Sequence, residues 1–179
     1  MNLGELKTNG IDIDVGYRLN GTPIGNWRFD LAMTHLNSYE SIPLPGAPAQ
    51  EIAGTYDRQF GNYAKWRALG TINWSLSGFD AMLQAQYIDS VVIHNPATQT
   101  EALFGQPNPD LHVGSVVYLN ATLGYTVKKT NTKVQFGMQN ITDKQPPTFY
   151  MNNVTNSNTD VATYDLLGRR FFVSLVQKF

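Results

Sequence analysis

The 179-residue chain contains no cysteine, and that absence removes disulfides, thiol catalysis and thiolate metal sites together. Histidine is scarce as well. The three imidazoles, His35, His94 and His112, show no His-x-x-x-His or Glu-x-x-His spacing, and a zinc site needs three or four converging ligands, so no metal and no cofactor is expected. No Gly-x-Ser-x-Gly elbow accompanies the serines, which leaves a Ser-His-Asp hydrolase without its usual signature and points to no catalytic residue. Charge is sparse and balanced: 13 Lys and Arg against 14 Asp and Glu give a formal net charge of -1. Such a chain has no electrostatic footprint for nucleic acid and no polybasic lipid-binding patch. Long apolar runs are missing too. Mean hydropathy is -0.27, and nothing approaches the ~18 residues of a membrane helix. Membrane strands stay open, because they alternate and average to mild hydropathy. The first ten residues, Met1 to Gly10, carry neither the basic n-region nor the apolar h-region of a signal peptide.

What the chain does have is period-two alternation. It predicts seven strands, roughly Glu5 to Leu19, Trp27 to Asn37, Lys65 to Leu76, Phe79 to Val92, Ser115 to Val127, Lys133 to Asn140 and Arg169 to Phe179. The connections alternate between short (Asn20 to Asn26, Ser77-Gly78, Lys128 to Thr132) and long (Ser38 to Ala64, Ile93 to Gly114, Ile141 to Gly168). Short turns on one rim and long loops on the other are the pattern of an up-and-down membrane barrel. Because a hairpin turn sets which residues face each other, the short turns predict registers. The first pairs Leu19 with Trp27, Tyr17 with Phe29, Val15 with Leu31 and Ile13 with Met33. The second, around Ser77-Gly78, pairs Leu76 with Phe79, Trp74 with Ala81, Ile72 with Leu83 and Ala68 with Tyr87. The third pairs Tyr125 with Phe136 and Leu123 with Met138. One face is apolar in all three, while the other carries residues such as Asn120, Thr122, Thr126, Lys133 and Gln135.

Aromatic positions suggest what the apolar face meets. Tyr17, Trp27, Phe29, Trp74, Phe79, Tyr125, Phe136 and Phe179 fall on it near the short-turn rim, where a girdle at a water–lipid boundary would lie; Trp66, Tyr87 and Phe171 fall toward the other rim. The competing reading is a soluble or surface β-sandwich, such as a carbohydrate-binding module, whose apolar face is its core. A sandwich gives no reason for aromatics at strand ends or for regularly alternating connections. Single-chain bacterial barrels have even strand numbers of about 8 or more, and an open edge in lipid costs several kcal/mol per unpaired amide. Seven strands therefore read as an incomplete barrel, the C-terminal part of something larger.

Two segments carry a family resemblance. Gly137-Met-Gln-Asn140-Ile-Thr-Asp143-Lys-Gln-Pro-Pro147, followed by Thr163-Tyr164-Asp165-Leu-Leu-Gly168-Arg169-Arg170, resembles the C-terminal end of TonB-dependent receptors. There an Asn-Leu-Thr-Asp-like turn ends the penultimate strand, and Tyr-Asp-x-x-Gly-Arg leads into a last strand with a terminal Phe. Leu6-Lys-Thr-Asn-Gly10-Ile-Asp12 is a weaker match to a strand-opening element of that family. The resemblance implies an all-β, antiparallel up-and-down transmembrane barrel in the bacterial outer membrane, belonging to a receptor that imports a ferric siderophore, cobalamin or glycan. Its implied partners are outer-membrane lipid, the barrel-assembly machinery, an extracellular small-molecule or glycan ligand, and the TonB complex, reached through an N-terminal part that these residues do not include. The complete relative would be a 22-stranded barrel with a plugged lumen, and residues 1–179 contain no plug domain or TonB box. Phe171, Val173, Leu175 and Phe179 would form the terminal assembly signal, with Gln177 at an outward position that is usually apolar. An outer-membrane phospholipase-like barrel is a third reading, marked by a His-Ser pair on the outer wall.

Two further groups have a sharp and a plain interpretation. Asp12, Asp14 and Arg18 share the polar face with Arg28 and Asp30 of the facing strand, either as a charged lumen that guides a solute or as cross-strand ion pairs of about 0.2 to 1 kcal/mol each. The loop aromatics Tyr39, Tyr56, Phe60, Tyr63, Phe149 and Tyr150 are candidates to stack on a sugar ring or a catecholate, or else pack the loops together.

Overall fold

The computed structural model describes residues 4–57, 61–93, 111–149 and 158–177. Its strands are β1 (Glu5–Thr22), β2 (Gly25–Ile42), β3 (Gln50–Glu51), β4 (Thr55–Asp57), β5 (Gly61–Asn62), β6 (Trp66–Leu76), β7 (Phe79–Ile88), β8 (Val91–Ile93), β9 (Leu111–Val113), β10 (Val116–Val127), β11 (Thr132–Gln139) and β12 (Arg170–Gln177). The described residues include no helix. Seven strands form one antiparallel wall in the order β1-β2-β6-β7-β10-β11-β12, each next to its neighbour in sequence among the long strands, with β3 added to the end of β2. This is the predicted up-and-down path. Among the described residues, β1 and β12 are its two edges and do not meet, so the barrel is not closed.

The first two predicted registers are reproduced pair for pair: Leu19 faces Trp27, Ile13 faces Met33, Leu76 faces Phe79 and Ala68 faces Tyr87. The third is corrected. Leu123 faces Phe136 and Tyr125 faces Val134, two residues away from the expected pairing. The cause is the turn: Val127 pairs with Thr132, so the loop is the four residues 128–131, closed by the Thr130 amide donating to the Val127 carbonyl and by Asn131 in a left-handed conformation. A shift of two preserves the side-chain face, and the apolar side survives the error.

β1 begins at Glu5 as predicted but runs past its expected end at Leu19, and β2 is longer than predicted at both ends. At the short-turn rim they continue to Thr22 and Gly25, past a bulge in which left-handed Gly21 donates its amide to the Asn26 side chain at 2.8 Å. At the other end a second irregularity leaves Asn37 unpaired between Leu36 and Ser38. One extra residue flips every later side chain to the other face, which is why the alternation in β2 breaks where the strand was expected to stop. At 18 residues each, these two strands exceed the ~9–11 that cross a bilayer, and their far ends stand beyond the wall, capped by β3.

The long connections are not plain loops. They hold a second sheet, β5-β4-β8-β9, in which β4 and β8 run parallel. The main buried cluster of the described chain lies here and on the adjoining strand ends: Tyr56, Ala64, Ile88, Val91, Ile93, Val113, Val116, Tyr118, Phe149 and Tyr164. The wall itself has no such cover. On its apolar face Leu83 is 46% exposed, Leu123 55% and Val173 72%, and no described element packs over it, as a sandwich would require.

Candidate functional site

The two faces of the wall have opposite chemistry. Outward lie Ile13, Val15, Leu31, Ile72, Leu83, Leu123, Phe136, Phe171, Val173 and Leu175, following the paired registers. At the short-turn rim the aromatics form a band. Trp27 lies 6.2 Å from Phe29 and 6.3 Å from Trp74, Phe79 lies 4.5 Å from Tyr125, and the Trp74 indole donates to the Ile24 carbonyl at 2.7 Å. Gln177, the polar residue on the outward side of β12, is tied to the neighbouring turn: its amide donates to the Thr130 carbonyl at 2.7 Å and its oxygen accepts from the Thr132 hydroxyl.

The inward face is polar and cross-linked. Lys133 on β11 reaches across β10 to Asp80 on β7 at 2.8 Å, and Gly124 makes this reach feasible, because a Cβ there would sit 2.7 Å from an Asp80 oxygen and 2.9 Å from Lys133 Cε. Asn120 donates to Gln84 at 3.1 Å and accepts from the Asn140 amide at 2.9 Å. Thr34 donates to Asp12 at 2.7 Å. The expected cross-strand ion pair of Arg28 is replaced by one within β2: its Nε donates to both oxygens of Asp30 at 2.8 and 3.0 Å, because the residue directly opposite Arg28 is Arg18. Near the long-loop end Phe172 also turns inward and lies over Gly137, where a Cβ would come within 2.1 Å of its ring.

The motif segments meet at the long-loop rim as a clasp. Asn140 is 1% exposed; its side-chain amide donates to the Lys144 carbonyl at 3.0 Å and to Asp165 at 3.2 Å, while its oxygen accepts from the Lys144 amide at 2.8 Å. Asp165 further accepts from the Leu167 amide at 3.0 Å and from Arg170 at 2.9 Å. Asp143 accepts from the Arg169 amide at 2.9 Å, and left-handed Gly168 leaves room for that carboxylate, which a Cβ would approach to 2.8 Å. Burial alone would push the Asp165 carboxyl up, but the Leu167 amide, the Arg170 guanidinium and the Asn140 amide together hold it below the ordinary value. The sequence marks all these residues without revealing that they touch.

The loop aromatics separate into two groups. Tyr56 and Phe149 are buried at 4% and 1% exposure, 4.7 Å apart, with Phe149 edge-on to Tyr164 at 5.8 Å; these rings form the loop core. Tyr164, absent from the candidates, joins them, and its hydroxyl accepts from Asn62 at 3.2 Å. Tyr39 and Tyr63 are only partly buried and pair at 4.6 Å, beside Glu51, which accepts from the amides of Tyr39 at 2.9 Å and Ala53 at 2.8 Å. Burial raises the Tyr63 hydroxyl above its usual range, with Tyr39 adding to it. Phe60, Tyr150, Phe179 and His94 lie outside the described residues. Phe171, Val173 and Leu175 all face outward on edge strand β12. His35 stacks on Trp66 at 4.0 Å.

Comparison with known families gives one result. The model described as "TonB dependent receptor-like, beta-barrel" matches residues 1–141. That span contains eleven of the twelve described strands and all of the wall except β12. No curated protein matches the chain.

Proposed function

Because the chain belongs to the TonB-dependent receptor-like β-barrel family, whose members are outer-membrane receptors and transporters and not enzymes, we propose that it forms part of the wall of a receptor importing a scarce solute across the bacterial outer membrane. The solute classes compatible with the family are ferric siderophores, cobalamin and glycans. One observation carries the reading: seven contiguous strands present an uncovered apolar face outward and a hydrogen-bonded polar face inward. Lipid is the solvent that suits the first face, and a water-filled or occupied lumen suits the second. The long-loop rim, with Tyr39 and Tyr63 partly open, is then the extracellular side where solute is first met. The short-turn rim faces the periplasm.

The two unpaired edges support a larger barrel, to which these residues contribute the C-terminal portion. The plug and the segment that engages the TonB complex would come from other sequence, and Phe171, Val173, Leu175 and Phe179 would present the strand recognised during barrel assembly. The test is fractionation with and without detergent. The protein is expected in outer membranes, requiring detergent for extraction and migrating faster on unheated gels than after boiling. A monodisperse, detergent-free soluble monomer would contradict the proposal.

A further inference from the structure

We propose that Asn20 is a self-modifying site, converted without an enzyme to aspartate and isoaspartate by attack of the Gly21 amide nitrogen on its side chain, and that Asn26 and Arg18 set the rate. The sequence holds two Asn-Gly pairs, Asn9-Gly10 and Asn20-Gly21, and a following residue without a Cβ hinders such a closure least. Both pairs are exposed on β1. What differs is their place in the sheet. Asn9 pairs with Ser38 and Gly10 with Leu36, and Gly10 lies so close to β2 that a Cβ would stand 2.6 Å from the His35 carbonyl oxygen. Asn20 and Gly21 are passed over by the ladder, which steps from Leu19 with Trp27 to Thr22 with Gly25. Gly21 is left-handed at φ 72°, and a Cβ there would meet nothing within 4 Å. The backbone at this peptide bond can therefore rotate while the strands on either side stay paired.

In the reaction the Gly21 nitrogen gives up its proton and bonds to Asn20 Cγ, the Cγ–Nδ2 bond breaks, and ammonia leaves with that proton; the gain is that of any intramolecular attack. A five-membered succinimide remains. Water then opens it at Cγ to give aspartate or at the main-chain carbonyl carbon to give isoaspartate, so one water is taken up and one ammonia lost. Two neighbours act on the ring closure. The Gly21 amide donates to Asn26 Oδ1 at 2.8 Å, and that bond must open before the nitrogen can turn onto Cγ. Negative charge grows on the nitrogen and on the carboxamide oxygen as the ring forms, and a fixed cation stabilises it. Arg18, about 7 Å back along the same face of β1, lines a cavity of about 550 Å³ together with Asn20 and Asn26. It forms no ion pair among the described residues, whereas Asp80, the carboxylate of that lining, is held by Lys133 at 2.8 Å. The new carboxylate at position 20 shares that cavity with Arg18. Because Asn20 and Gly21 make no ladder pairs, the extra main-chain carbon of isoaspartate leaves the wall intact.

The test incubates the folded protein in heavy-oxygen water at mildly alkaline pH and follows the peptides around Asn20 and Asn9 by mass spectrometry. Asn20 is expected to take up heavy oxygen, with isoaspartate among the products, while Asn9 keeps its amide; in denaturant the two should convert at similar rates. Asn26→Ala should speed the folded-state conversion about fivefold, the factor for releasing one hydrogen bond of ordinary strength. Arg18→Gln should slow it several-fold, and Arg18→Lys, which keeps the charge, should not. No conversion of Asn20 in the folded protein, or conversion of Asn9 there at the same rate, would overturn the site. An unchanged or slower rate in Asn26→Ala, or an unchanged rate in Arg18→Gln, would overturn the control assigned to those residues. The comparison of Asn20 with Asn9 uses the unsubstituted chain, so it stands even where a variant fails to fold, and it is independent of the membrane-wall reading.

Discussion

The outward and inward faces of the wall are built from alternate residues of the same strands, yet they keep their structure by different means. Outward, Leu31, Leu83 and Leu123 meet no protein layer and make no polar bonds; their contribution depends on the solvent around them. Inward, Asp80–Lys133, Asn120–Gln84 and Thr34–Asp12 bind one strand to another. One face specifies where the protein resides, and the other specifies how its strands stay in register and what the lumen offers.

The largest effect that separates the faces is a charge placed outward. Leu83→Arg on β7 is expected to cost about 2–4 kcal/mol if it falls near the bilayer midplane, whereas Gln86→Arg, at an exposed inward position of the same strand, should stay within about 0.5 kcal/mol; urea unfolding in lipid vesicles measures both. Next is Asn140→Ala, which leaves the Lys144 amide and one Asp165 oxygen short of a partner. A loss of about 1–3 kcal/mol is expected, seen as a lower melting temperature. Gly137→Ala must displace the Phe172 ring and should cost about 1–3 kcal/mol as overpacking, while Gly124→Ala meets only the mobile ends of Asp80 and Lys133 and should cost less than Gly137→Ala in the same assay.

The smallest effect is a pH dependence of the clasp. The folded-state carboxyl of Asp165 is held below its ordinary value of 3.8, so its contribution is full above that pH and disappears as pH falls through the lower folded value. Wild type should lose more stability below pH 3.8 than Asp165→Asn does; identical acid profiles would remove Asp165 from the clasp.

Much of the wall was legible because two signals agree, period-two alternation and short turns, and two hairpins followed residue by residue. The third slipped by two because nothing in Lys128 to Asn131 states that Asn131 turns left-handed and shortens the loop. The end of β2 was misplaced because the bulge at Asn37 breaks the very period used to trace it. The loop sheet was invisible, since strands of two or three residues are too short to show a period. At the rim, composition marked aromatic rings without telling Tyr56 and Phe149, which are buried, from Tyr39 and Tyr63, which are partly open. The bond from Asn140 to Asp165 spans 25 residues, beyond the reach of any local pattern.

The central claim is that alternate residues of one strand face lipid and lumen. The absence of native cysteine makes single-cysteine scanning of β10 its most direct test, with spin labels at Leu119, Asn120, Ala121, Thr122 and Leu123 in lipid vesicles. Oxygen, which concentrates in lipid, should reach labels at 119, 121 and 123, and a water-soluble nickel reagent should reach those at 120 and 122, in opposite phases of period two. Labels at 119, 121 and 123 shielded from both reagents would mean that protein covers the apolar face, contradicting a membrane wall.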